Sequence, residues 1–269
     1  MQFNNYEDIV QMTPLWKGDR FPDGRPRVAD SVLARLRSMS IEEVWRLAWM
    51  KLNNYQFQGD FKCTHSTMKP TVGRAVTATF VPIREDLEIA MMRQAKSQGM
   101  KGMYNQWVVD SLVEDDVFVA DLFDKTEYGT LVGGNLATVI RQKTKRGGAV
   151  VWGSIRDVQQ IRDIDDIQHL LPRVPPLPIR DICLTGFNLP CRIGHATCLP
   201  GDVVYACECG VCFIPPHMAE EVAEDAEKVH IRDIFGFQRI HEGKYSATAI
   251  DEFPWKNRDL RGLYELAEN

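Results

Sequence analysis

Residues 131–157, LVGGNLATVIRQKTKRGGAVVWGSIRD, decide the fold class. The stretch divides into four pieces. Gly133-Gly134 form a turn, and a helical pattern runs over 135–146 until Gly147-Gly148 end it. Residues 149–152 are a short apolar strand, and Gly153-Ser154 then turn the chain to deliver Arg156 and Asp157. A helix running straight into a buried strand is the unit of an α/β layered domain. The same pieces carry chemistry. A helix start offers unpaired N–H groups and a positive dipole end, which attract carboxylate or phosphate. Two glycines before it let a ligand approach the backbone. Gly134, Asn135, Leu136 and Ala137 are therefore the candidate anion cradle. Arg156 is a planar fork suited to a carboxylate. Asp157 is a hard oxygen ligand for Mg²⁺ or Mn²⁺, held mostly through waters, whereas Zn²⁺ would want several His or Cys ligands.

Downstream, residues 157–167 predict a short helix, and four prolines in 172–178 demand an extended loop. Strands follow at 181–185, 191–193, 202–206 and 211–214, the last two as a hairpin turning at Cys209-Gly210. A helix over 217–230 leads to a polar, partly helical tail, 231–269. Upstream, residues 116–123 read as a buried strand. Residues 86–98 read as an amphipathic helix closed by Gly99, and 72–82 as a strand. Ser40 and Glu43 form a capping box. Ile41, Val44, Trp45, Ala48, Trp49 and Leu52 follow at helical steps, which places both tryptophans in the core. Residues 28–37 form another helix, and 1–26 an irregular arm. Strands that alternate with helices and later pair as hairpins define an α/β domain with a mixed sheet.

The chain resembles the RraA-like family, which includes the 4-hydroxy-4-methyl-2-oxoglutarate and 4-carboxy-4-hydroxy-2-oxoadipate aldolases. Four segments carry the resemblance. Gly134-Asn135-Leu136-Ala137 and Gly153-Ser154-Ile155-Arg156-Asp157 match the family's two site motifs at the family's spacing, with twenty residues between Asn135 and Arg156. Val72-Gly73-Arg74-Ala75-Val76-Thr77 matches a strand motif, and 200–216, PGDVVYACECGVCFIPP, matches the family hairpin. The resemblance runs from about Gly73 to His230. It implies a swivelling α/β/β/α sandwich assembled as homotrimers or homohexamers. It also implies an arm with helices at 1–70, a catalytic domain at 71–230 and an extension at 231–269.

The activity it implies is a divalent-metal-dependent lyase that breaks a C–C bond in a small 2-oxo or hydroxy acid, by retro-aldol cleavage or decarboxylation. Asp157 holds the metal, Arg156 stabilises the developing enolate, and the helix start anchors a substrate carboxylate. A neighbouring subunit lends an acid, for which Glu220, Glu221 and Asp233 are candidates, although a solvated helix face accounts for each of them better. Asn135 stands where the family has aspartate. An amide neither takes a proton nor carries charge, so either the chemistry is altered or Asn135 simply caps the helix. The alternative function is that of RraA itself, a non-catalytic regulator that binds a ribonuclease or another protein partner.

Composition narrows the field. A net charge of −5 argues against nucleic-acid binding. No apolar run is long enough for a membrane helix, and the first sixteen residues do not resemble a signal peptide. Seven cysteines without an export signal indicate reduced thiols in the cytoplasm. Cys198, Cys207, Cys209 and Cys212 fall close enough to raise a structural zinc site. They lie on hairpin strands with alternating faces, which favours buried free thiols. Arg74 reads either as a functional cation or as a solvated strand charge. His65, His195 and His241 are scattered and read as structural.

Overall fold

A computed structural model describes residues 4–51, 55–65, 69–164, 168–171 and 176–251. Helices α1 (Tyr6–Met12), α2 (Asp30–Leu36) and α3 (Ile41–Met50) come first. Strands β1 (Phe57–Gln58), β2 (Lys62–Cys63) and the long β3 (Thr71–Pro82) follow, then helices α4 (Glu85–Ser97) and α5 (Tyr104–Ser111). Next come β4 (Asp116–Asp121), β5 (Thr130–Val132), α6 (Gly134–Thr144), β6 (Gly148–Trp152), β7 (Ser154–Ile155) and α7 (Val158–Arg162). Strands β8 (Gln168–Leu171), β9 (Ile182–Phe187), β10 (Cys191–Ile193), β11 (Ala196–Cys198), β12 (Val203–Cys207) and β13 (Gly210–Ile214) lead to helices α8 (Ala219–His241) and α9 (Ala247–Asp251).

Among the described residues the main sheet has nine strands, and it is mixed, as expected. Its centre is parallel. β4 lies between β3 and β6, with Val119 opposite Thr77 on one side and Val150 on the other, and β8 lies beyond β6. Every residue of β4 is buried, which is what strands covered on both faces require. β3 is long enough for two partners to share its other edge. Its first half pairs antiparallel with β12 and its second half with β9, across a register shift between Thr79 and Phe80. β12 and β13 form the expected hairpin, with β1 beyond it.

Side-chain alternation divides the core by face. One face of β3, β4 and β6, including Phe80, Phe118 and Val151, packs on Met91 of α4, Trp107 of α5 and Ile140 of α6. Further along, Val72, Tyr205 and Ile214 pack on Leu33 and Leu36 of α2, Val44 of α3 and Val222 of α8. The opposite face, with Val117, Val119, Val204 and Phe213, is covered by the β10–β11 hairpin through Ile193 and Ala196. Each buried Phe contributes about 1.5–3 kcal/mol of transfer free energy.

The arm is more ordered than the sequence suggests. Asn5 caps α1, its Oδ1 accepting the Glu7 N–H at 2.9 Å. Arg25 is buried and forks Asp116 at the start of β4, at 2.8 and 3.1 Å. Arg74 is neither a solvated charge nor a cleft residue. It is buried, donates from Nε to the Val28 carbonyl at 2.8 Å, pairs with Asp30 and lies 5.4 Å from the Phe21 ring. These contacts fasten the arm to the beginnings of the central strands β3 and β4.

Trp49 departs from its expected core position, being 59% exposed. Helix α3 meets α8 through Ile41, Val44 and Ala48, and a residue one step past Ala48 is rotated about 100° off that stripe. Trp45 is half-buried, tilted against Phe57 at 5.9 Å. Leu52 lies outside the described residues. Helix α8 runs eleven residues past the expected end at His230, while α7 stops at Arg162, with 165–167 outside the description. No described helix is long and apolar enough to cross a membrane.

Candidate functional site

Two very short strands build the site. β5 and β7 pair in parallel, with Thr130 opposite Ser154 and Val132 opposite Ile155. The Arg156 N–H continues the ladder to the Val132 carbonyl at 3.0 Å. The two chain segments therefore leave the pairing side by side, Gly133-Gly134 from one and Arg156-Asp157 from the other.

Helix α6 starts at Gly134, with Gly133 as its N-cap. A glycine cap offers no side-chain acceptor. Asp157 supplies one from across the turn, its Oδ2 accepting the Gly134 N–H at 3.0 Å. Arg156 Nε lies 3.6 Å from the same oxygen. Asp157 sits in the left-handed region at φ 59°, which Asp adopts more readily than other L-residues. Gly133 is required by contact rather than by backbone conformation. A Cβ there would lie 2.7 Å from Asp157 Oδ2 and 3.0 Å from Arg156 Nε.

A cleft of about 470 Å³ opens over this junction. Gly134, Asn135, Leu136, Arg156 and Asp157 all line it. Asn105 of α5, Gln160 of α7, Met103 and Ile179 complete its walls. Asn105 is buried and held by its Nδ2 donating to the Leu131 carbonyl at 2.8 Å. Among the described lining residues, Arg156 and Asp157 are the only ionisable side chains. They are 44% and 35% exposed, so both are accessible from solvent.

The cradle is narrower than the sequence reading had it. Ala137 is fully buried and its N–H already donates to the Gly133 carbonyl at 2.9 Å, so it does not line the cleft. With Gly134's amide taken by Asp157, the first-turn amides that α6 cannot satisfy itself are those of Asn135 and Leu136. Asn135 is not the cap. It is exposed at the second helical position, so the capping account of this residue fails.

The other candidates lie elsewhere. Glu220 pairs with Arg35 and Glu221 with Lys51, which binds α8 to α2 and α3 of the same chain. Asp233 lies beside Arg232 at 3.5 Å. Cys198, the last residue of β11, packs on the face of the sheet that the β10–β11 hairpin covers, whereas Cys212 packs on the opposite face and Cys209 is exposed. That alternation keeps the four thiols from meeting at one ion. Of the histidines, His65 links Thr64 to the Arg162 carbonyl.

Asn105 and Gln160 were not foreseen. Gln160 follows Asp157 by three residues, so it shares that face of α7, a spacing present in the sequence. Asn105 comes from a distant segment, and nothing local marks it.

Fold and site together define a mixed α/β protein with a helix-start cradle facing a lone carboxylate. The family model described as RraA-like, Aldolase/RraA, matches residues 29–213. The chain belongs to the RraA-like family. No curated protein matches the sequence. Solved structures share the fold. An uncharacterized protein from Pseudomonas syringae pv. tomato str. DC3000 superposes with a TM-score of 0.68 at 16% identity, over 85% of this chain and 96% of that one. Streptomyces coelicolor RraAS2, described as an unusual member of the RNase ES inhibitor RraA family, gives 0.66 at 21%, over 80% and 98%. A protein described among novel cellulases from gut-associated microbes gives 0.66 at 21%, over 85% and 95%. The family thus joins aldolases and ribonuclease inhibitors on one scaffold.

Proposed function

We propose that the cleft is the active site of a divalent-metal-dependent lyase that decarboxylates a small 2-oxo diacid. The observation that carries this reading is the convergence of Asp157, Arg156 and the open first turn of α6 on one accessible cleft.

The donor set suits a hard cation. Among the described residues no three His, Cys, Asp or Glu side chains converge. The cleft offers one carboxylate, Asp157, with the neutral amides of Asn105, Asn135 and Gln160 around it. That is the pattern for Mg²⁺ or Mn²⁺ keeping most of its waters, and not for tetrahedral zinc. Bound there, the ion would act as a Lewis acid on the 2-oxo group.

The chain's own residues supply the rest. The Asn135 and Leu136 amides orient a substrate carboxylate at the positive end of α6. In a 2-oxo diacid such as oxaloacetate, the C3–C4 bond breaks, CO₂ leaves, and the electron pair becomes an enolate. Arg156 lies where it can stabilise that charge. A proton from water then restores the methyl group of pyruvate. Retro-aldol cleavage would in addition need a base to take the hydroxyl proton. Asn135 cannot serve as one, and among the described lining residues the one carboxylate, Asp157, would be taken up by the metal. Decarboxylation is therefore the better match to these residues.

The test measures pyruvate from oxaloacetate and from 4-hydroxy-4-methyl-2-oxoglutarate, with Mg²⁺ or EDTA. Wild type is expected to act on oxaloacetate only with metal. Asn135→Asp is expected to gain activity on the hydroxy acid. No metal-dependent product from either substrate in wild type would overturn the lyase reading and leave the protein-binding role of the scaffold.

A further inference from the structure

A second pocket lies between the arm and the β12–β13 end of the sheet, and it shares no lining residue with the cleft. It encloses about 200 Å³. The arm supplies Pro14, Leu15 and Trp16 on one side, and Pro215 and His217, past the end of β13, close the other. Asp202, only 2% exposed, forms part of its lining.

The carboxylate is incompletely satisfied. Its Oδ2 accepts the Leu199 N–H at 2.8 Å. No described residue donates to Oδ1, and no Lys or Arg lines the pocket. Burial pushes the Asp202 acid up to about 7. Burial also lowers His217, with Lys51 adding to the shift, so the imidazole is neutral at pH 8 and brings no counter-charge. An apolar cavity with a buried acid at its wall is the environment that favours a cationic guest, because an unpaired buried carboxylate is costly. The Trp16 indole and the prolines suit an apolar or aromatic body, and an indole face also attracts a cation. The volume exceeds the roughly 150 Å³ cavity that admits benzene, and it is too small for a nucleotide.

We propose that this pocket binds a small apolar amine, with the ammonium on Asp202 and the hydrocarbon body against Trp16. The site is independent of the lyase reading.

The test uses the full chain at pH 8, with benzylamine as probe and benzyl alcohol as its neutral counterpart. Binding is followed through the Trp16 indole N–H resonance, assigned by Trp16→Phe. Benzylamine is expected to bind saturably and shift that resonance, with benzyl alcohol at least tenfold weaker. Asp202→Asn keeps an acceptor for the Leu199 N–H, so the turn is retained, and it should weaken benzylamine at least tenfold. Equal binding of alcohol and amine to wild type would overturn the proposal without recourse to any variant. So would unchanged affinity in folded Asp202→Asn, no saturable binding, or shifts confined to other tryptophans.

Discussion

Asp157 holds two jobs. Its Oδ2 closes the open start of α6, and its charge faces the cleft. The two are separable by substitution. Asn tolerates the left-handed backbone at φ 59° and still accepts the Gly134 N–H, so Asp157→Asn should unfold in urea within about 0.5 kcal/mol of wild type. Asp157→Ala loses the cap and meets backbone strain, and should cost about 1–2 kcal/mol in the same measurement. Both should lose metal-dependent turnover by at least a hundredfold. A stable but inactive Asp157→Asn separates chemistry from folding. That Arg156 and Asp157 would meet the start of α6 at one cleft was legible, because a Gly-x-x-Arg-Asp turn after a strand leaves little else for them to do. The true cap of α6 was not legible. Glycine carries no signature of an acceptor borrowed from twenty-three residues away.

At the scale of elements, the long and periodic pieces were readable and the short ones were not. The capping box at Ser40 and Glu43 is present, with Ser40 N donating to Glu43 Oε2 at 2.6 Å. Strand β3 lies where alternation put it, β4 where a continuous apolar run did, and the β12–β13 hairpin where its glycine turn did. Missed were α1, α5, the short strands β1, β2, β5, β7 and β8, and the second strand of the β10–β11 hairpin. Seven or eight residues give barely two helical turns, and three-residue strands have no measurable period. These elements exist because tertiary contacts hold them: Asn105 of α5 donates from Nδ2 to the Leu131 carbonyl of β5 at 2.8 Å, and Trp107 is buried in the cluster under the main sheet. The omission matters, because β5 and α5 complete the cleft. The approach of the β5 and β7 ends makes a specific prediction. Gly133→Ala leaves an allowed backbone but drives a methyl group into Asp157 and Arg156. Turnover should fall at least tenfold while the urea midpoint moves little. Unchanged kcat/KM would mean that the Arg156–Asp157 geometry does not govern the reaction.

At the scale of the molecule, stability depends on buried charge as well as on apolar packing. Asp202 is the clearest case. Its folded acid lies at about 7 against an ordinary value of 3.8, because burial disfavours the ion. Between about pH 4 and 7 the unfolded chain releases this proton and the folded chain keeps it. The residue therefore subtracts stability as pH rises through that window and nothing further above it. Asp202→Asn removes the penalty. The stability of the variant relative to wild type should rise from pH 4 to 7, by at most about 4 kcal/mol, and level off above pH 7. Denaturant titrations across that range would show it, and a pH-independent difference would contradict the burial of an ionisable Asp202.

The account rests on a cation seated at Asp157, and Mn²⁺ titration followed by electron paramagnetic resonance reads that directly. Wild type should bind one Mn²⁺ per chain at the cleft, with affinity at least tenfold weaker in folded Asp157→Asn. Absence of bound Mn²⁺ in wild type, or the same affinity in both proteins, would contradict it.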